Sequence, residues 1–137
     1  MIACKPVTVH LRDAGGQLVA RWTTNPDGSF SEPVPPGTYI AYADAEGFLL
    51  ARTVDPVIIS SGGMTTMATI TLLAGDIFKH DILIQAVIDE WDAMSIGMNY
   101  NGTTPTGADL NCDGIINVLD LELLAANYRT TGPFPWP

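Results

Sequence analysis

Positive charge is what this sequence has least of. Only 6 of its 137 residues are Lys or Arg, against 15 Asp or Glu, so the formal net charge is −9. A chain of that sign is poorly matched to phosphate backbones and to anionic lipid surfaces, which sets aside nucleic acid as a partner. Long apolar runs are missing too: no stretch reaches about 18 continuous apolar residues, so membrane insertion is set aside as well. Met1-Ile-Ala-Cys-Lys-Pro6 is too short for a signal peptide, and the chain reads as a mature form or a fragment. Histidine is confined to His10 and His80, neither of which has a Ser, Cys or carboxylate at a recognisable catalytic spacing. Both read as structural, with His80 in a solvated Lys79-His-Asp81 loop. Cysteine is limited to Cys4 and Cys112; a disulfide between them and two buried thiols both remain open. Charged residues make up 15% of the chain, below the roughly 25% usual for soluble domains. With 47% hydrophobic content, that scarcity suggests surface covered by a partner.

What is present is concentrated in Asp109-Leu-Asn-Cys-Asp-Gly-Ile-Ile-Asn-Val-Leu-Asp120. As a twelve-position loop it puts side-chain oxygens at positions 1, 3, 5, 9 and 12, namely Asp109, Asn111, Asp113, Asn117 and Asp120. Gly114 at position 6 permits a sharp turn, and Ile115 at position 7 offers its carbonyl. A hard cation such as Ca2+ takes six to eight oxygens at about 2.3–2.6 Å, and alternate residues of a curled loop supply them from one side. The last position departs from the usual Glu of such loops. Leu121, Leu124 and Ala125 follow at helical spacing, so the chain leaves the loop as a helix. It enters through the turn-forming stretch Asn101-Gly-Thr-Thr-Pro-Thr-Gly107, which also holds a glycosylation sequon at Asn101.

This loop, its helix and Ala125-Ala-Asn-Tyr128 resemble the second calcium repeat of a dockerin domain. The resemblance implies two such repeats, an extracellular or cell-surface setting and a cohesin-like β-sandwich partner. A first copy is indeed legible. At an offset of 28, Asp81, Asp89, Asp92, Asn99 and Tyr100 fall on Asp109, Asn117, Asp120, Asn127 and Tyr128. Leu83, Gln85 and Ala86 then occupy positions 3, 5 and 6, which damages the metal chemistry. A second register opens at Ala74-Gly-Asp76 and needs about five inserted residues. Either way one good calcium site is expected, with Asp81, Asp89 and Asp92 as the remnant of a weak, remodelled or absent one. In dockerins, loop positions 10 and 11 help to select the partner. That implies Glu90, Trp91, Val118 and Leu119, joined by Glu122 and Leu123 on the next turn. Read by its size alone, Trp91 belongs in the core.

The first half has almost no helical pattern. Val7, Val9 and Leu11 alternate with Thr8, His10 and Arg12, and Leu18, Ala20 and Trp22 with Val19, Arg21 and Thr23, as half-buried strands do. Further short strands are expected at Ser29–Ser31, Thr38–Ala43, Phe48–Val54, Val57–Ser60 and Thr65–Leu73, separated by Gly- and Pro-rich turns. Such spacing predicts a β-sandwich. Thr23-Thr-Asn-Pro-Asp-Gly-Ser-Phe30, Val34-Pro-Pro-Gly-Thr-Tyr39 and Ala45-Glu-Gly-Phe48 resemble the carboxypeptidase-regulatory-like or prealbumin-like repeats of surface proteins, which implies a spacer. The tail, Thr131-Gly-Pro-Phe-Pro-Trp-Pro137, has too many prolines for a helix, and Phe134 and Trp136 are expected to dock.

The sequence therefore predicts an α+β chain without catalytic activity. An antiparallel Ig-like or prealbumin-like β-sandwich over 1–74 packs on a dockerin-like pair of calcium loop-helix repeats over 75–137. The partner is a cohesin-like domain or another copy of the chain, in which case the dockerin-like half of one copy binds the sandwich of the next and builds a filament or surface layer.

Overall fold

A computed structural model describes residues 5–77 and 86–137. Mostly β structure with two helices, it opens with three antiparallel strands, β1 (Thr8–Arg12), β2 (Leu18–Thr23) and β3 (Gly37–Asp44). Alternation drives them: Val9 and Leu11 of β1 and Tyr39, Ala41 and Ala43 of β3 point into one core, as period-two side chains on a half-buried sheet must. Short strands β4 (Ala51–Thr53) and β5 (Val57–Ile59) pair with opposite ends of β3.

Two expected strands are absent. Residues 29–36 form none, because prolines at 33, 35 and 36 donate no ladder hydrogen bond. Residues 65–73 also carry no ladder, their polar groups being committed singly: Thr65 Oγ1 donates to Ile58 O, while the carbonyls of Ala68 and Leu73 accept from Trp136 Nε1 and Leu49 N. Both segments still flank the core through Phe30, Val34, Met67, Ile70 and Leu72, which keeps the half sandwich-like.

After the two-residue strand β6 (Ala86–Val87) come α1 (Glu90–Met98), a 3-10 turn (Thr106–Ala108) and α2 (Val118–Ala125). The offset of 28 holds in hydrogen bonds as well as in sequence. Asp89 and Asn117 are the N-caps, and Asp92 and Asp120 close a capping box on each helix. The exchange is reciprocal: Asn101 N donates to Ile116 O and Ile116 N to Gly102 O, while Arg129 N donates to Ile88 O and Ile88 N to Thr130 O. Each repeat thus pairs its loop with the segment that follows the other's helix, an approximate two-fold relation. Asn101 and Arg129 hold the matching left-handed backbone, with φ of 63° and 70°.

The tail returns to the sheet. Strand β7 (Thr131–Gly132) pairs with β6, and β8 (Phe134–Trp136) runs parallel to β4, so the main sheet has the order β2-β1-β3-β4-β8. Docking of the tail through Trp136 is as the sequence predicts: the ring is buried, edge-on to Phe30. One buried cluster runs from Val9, Leu49 and Trp136 to Ile88, Ile116 and Leu124, spanning both halves of the chain. At the seam Gly47 has φ 83°, and a Cβ there would collide with the carbonyl of Gly107, so the close approach requires glycine.

Candidate metal centre and helix face

The loop from Asp109 to Asp120 folds around its own carboxylates. Asp113 N and Gly114 N donate to Asp109 Oδ1 and Oδ2 at 3.2 and 3.0 Å, and Ile115 N donates to Asp113 Oδ1 at 3.0 Å. Asn111 Nδ2 donates to Asp113 Oδ2 at 3.0 Å. Gly114, with φ 92°, makes the turn that aims these amides inward. Fully buried Asp120 accepts from Leu110 N and Asn117 N, both at 2.8 Å, and from Asn111 N at 3.2 Å. Asn117 Oδ1 caps α2 through Leu119 N, at 3.0 Å.

Oxygens of Asp109, Asp113 and Asp120 lie within 4.8 Å of one another. Three carboxylates so close repel unless a cation joins them. Arg129 pairs with Glu90, at 3.6 Å, and not with this cluster. Lys5 is near enough to feel Asp109 and Asp120, yet its Nζ donates to Thr106 O, and burial holds its pKa below the ordinary lysine value despite Glu46 and both aspartates. The Ile115 amide, followed by Asn111 and Asp109, holds the Asp113 carboxyl below the usual carboxylate range. The three carboxylates offer only oxygens, which suit a hard divalent cation. Cys112 is disulfide-bonded, so the reading with two free thiols falls away; Cys4 lies outside the described residues.

The first repeat keeps the scaffold of the second. Asp92 Oδ1 accepts from Ile77 N and Oδ2 from Asp89 N, each at 2.8 Å, as Asp120 does from Leu110 and Asn117. Ile77 therefore stands where Leu110 stands, and buried Asp76 answers to Asp109. This favours the register opening at Ala74: Asp76 and Asp92 are 16 positions apart, Asp109 and Asp120 only 11, so five residues are inserted. Asp81, with Lys79, His80, Leu83 and Gln85, lies outside the described residues. The signal for Asp76 was present in Ala74-Gly-Asp76 beside Gly107-Ala-Asp109.

Beyond the loops the helices turn apolar residues outward. Trp91 is 51% exposed, Val118 52% and Leu119 47%, so the core reading of Trp91 is overturned. Asp92 and Ile96 are the buried residues of α1, and Asp120 and Leu124 those of α2. Glu90, Glu122 and Leu123 are also exposed. Met94 and Met98 extend the surface, with Met98 77% exposed. Pattern reading missed both methionines, since a helix apolar on most sides does not reveal which side is covered. His10, by contrast, is buried and stacked on Tyr42 at 4.7 Å, which suits a structural residue.

No protein-family model matches the chain, and no curated protein matches it. Solved structures share its fold, two cohesin complexes among them. Both are type II cohesin-X-dockerin complexes from Acetivibrio cellulolyticus, one an N-terminal and the other a C-terminal interface mutant. The first aligns with a TM-score of 0.66 at 21% identity over 92% of this chain and 82% of the matched one. The second gives 0.64 and 20% over 90% and 82%.

Proposed function

We propose that this chain is a non-catalytic, extracellular protein-binding module ordered by calcium, counterpart to the X-dockerin component of such complexes, whose helix face engages a cohesin-like β-sandwich. The observation that carries this reading is the outward apolar surface of α1 and α2, raised on two capping boxes 28 residues apart. Aromatic, Leu and Met side chains exposed together on rigid helices are what a protein interface core requires. Structural likeness to cohesin-X-dockerin complexes supports it, as does a loop-helix pair that a β-sandwich alone would not contain. Calcium bound by Asp109, Asn111, Asp113, the Ile115 carbonyl, Asn117 and Asp120 would neutralise the loop's charge and fix the start of α2. No helix among the described residues is long and apolar enough to cross a membrane.

Titration calorimetry against a recombinant type II cohesin, in calcium and in chelator, tests the reading. Binding in calcium that is lost in chelator and in a Val118→Asp/Leu119→Asp variant is the expected result. Equal binding by that variant would move the interface off the helices.

A further inference from the structure

The scarce cations of this chain are gathered on one surface. Cross-strand register aligns Arg21 of β2 with His10 of β1, His10 with Tyr42 of β3, and Tyr42 with Arg52 of β4. Directly opposed residues share a sheet face, and these lie opposite Val9, Leu11, Ala41 and Ala43, which face the core. Arg12 stands two residues beyond His10 on the same face, and Lys5 borders it in a recess of about 540 Å³. Four of the chain's 6 basic residues thus sit on or beside one sheet face of a protein whose net charge is −9.

Charge on that face is poorly compensated. The charge of Asp44 acts on His10, and Glu46 at the rim is engaged by Thr106 Oγ1 at 2.9 Å. Among the described residues Arg12, Arg21 and Arg52 make no ion pair. Arg12 Nη1 donates to Gly16 O at 2.9 Å, whereas Arg12 Nε and His10 Nε2 are buried without any partner.

The loop-helix half is the electrical opposite. Residues 86–137 hold seven carboxylates and one arginine, a net of −6 that remains −4 with one divalent cation bound. We propose that the outer face of β2-β1-β3-β4 is a docking surface for the loop-helix half of a second copy, Arg12, Arg21 and Arg52 meeting its carboxylates. The two surfaces differ, so the contact is head-to-tail and extends into open chains. It also competes with a cohesin-like partner for the helix face.

Sedimentation velocity in calcium tests this without any other protein. Raising the salt from about 0.01 M to about 1 M shortens the screening length from about 30 Å to about 3 Å. The wild type should exceed its monomer mass of 14.6 kDa at least twofold at low salt and return to it at high salt. Arg21→Glu/Arg52→Glu should be monomeric throughout, as should Glu90→Lys/Glu122→Lys. Mixed in equal amounts, the first pair of changes leaves an intact acidic surface and the second an intact basic one, so the two variants should assemble with each other although neither assembles alone. Arg21→Gln/Arg52→Gln guards against misfolding and should weaken assembly at least tenfold. A wild type monomeric at low salt overturns the proposal and leaves the face to a different acidic protein. Undiminished assembly by Arg21→Glu/Arg52→Glu, or failure of the mixture to pair, overturns it as well.

Discussion

Asp120 and Asp113 stand at the two ends of what a carboxylate can do in this loop. Asp120 is fully buried and accepts three backbone N–H groups, so it holds the loop to α2 whether or not a cation is present. Asp113 is exposed and its contacts are local. Asp113→Ala should therefore abolish calcium binding and leave the melting temperature in chelator unchanged, whereas Asp120→Ala should lower that temperature by the equivalent of about 3 kcal/mol. Equal melting of the two variants in chelator would remove the distinction. A second residue-scale test concerns pH. Burial first, then Arg12 and Arg21, against an opposing Asp44, hold the His10 pKa below its ordinary 6.5. Between that value and the lowered one the unfolded chain binds more protons than the folded one, so stability is full above 6.5 and is lost as pH falls through this window. Thermal melts at pH 7.5 and pH 5 should show the loss in the wild type and a flatter profile in His10→Gln. A stability that rises on acidification would contradict the assigned sign.

Among the elements, those set by side-chain chemistry or strict alternation were readable in advance. The spacing of oxygen-bearing residues around Gly114 located the Asp109–Asp120 loop, and alternation located β1, β2 and β3. Strand β8 was readable only as a docking segment, because Pro133 and Pro135 argue against any ladder until an edge with the right donors is known. Thr65–Leu73 failed in the opposite direction: its residues favour strands, but its carbonyls serve other donors. At this scale Trp136 is the residue to remove. Its ring fills the core, and Nε1 donates to Ala68 O at 2.7 Å. Trp136→Ala should cost about 3–5 kcal/mol in urea denaturation, and a loss under about 1 kcal/mol would mean that β8 is not part of the folded sheet.

For the molecule as a whole, the core does not divide between the strands and the loop-helix repeats. Leu124 and Ile116 belong to the same buried cluster as Val9 and Leu49, and α2 leads directly into β7 and β8. Chelator should therefore lower the midpoint of one cooperative transition, seen alike by far-ultraviolet circular dichroism and by tryptophan fluorescence. Two separated transitions, with the strands melting at an unchanged temperature, would show that the shared core does not couple the halves.

The parallel pairing of β8 with β4 also decides how the molecule bears mechanical load. A pull on Pro137 reaches β8 before it reaches α2, and β8 lies along β4. Tension along the strand is then shared among Phe134 N to Leu50 O, Val54 N to Trp136 O and the Trp136 indole bond to Ala68 O. These bonds resist in shear, together, and do not open one after another. The Asp109–Asp120 loop and its helix sit behind that clasp, so they feel the force only after the strand has been stripped from the sheet.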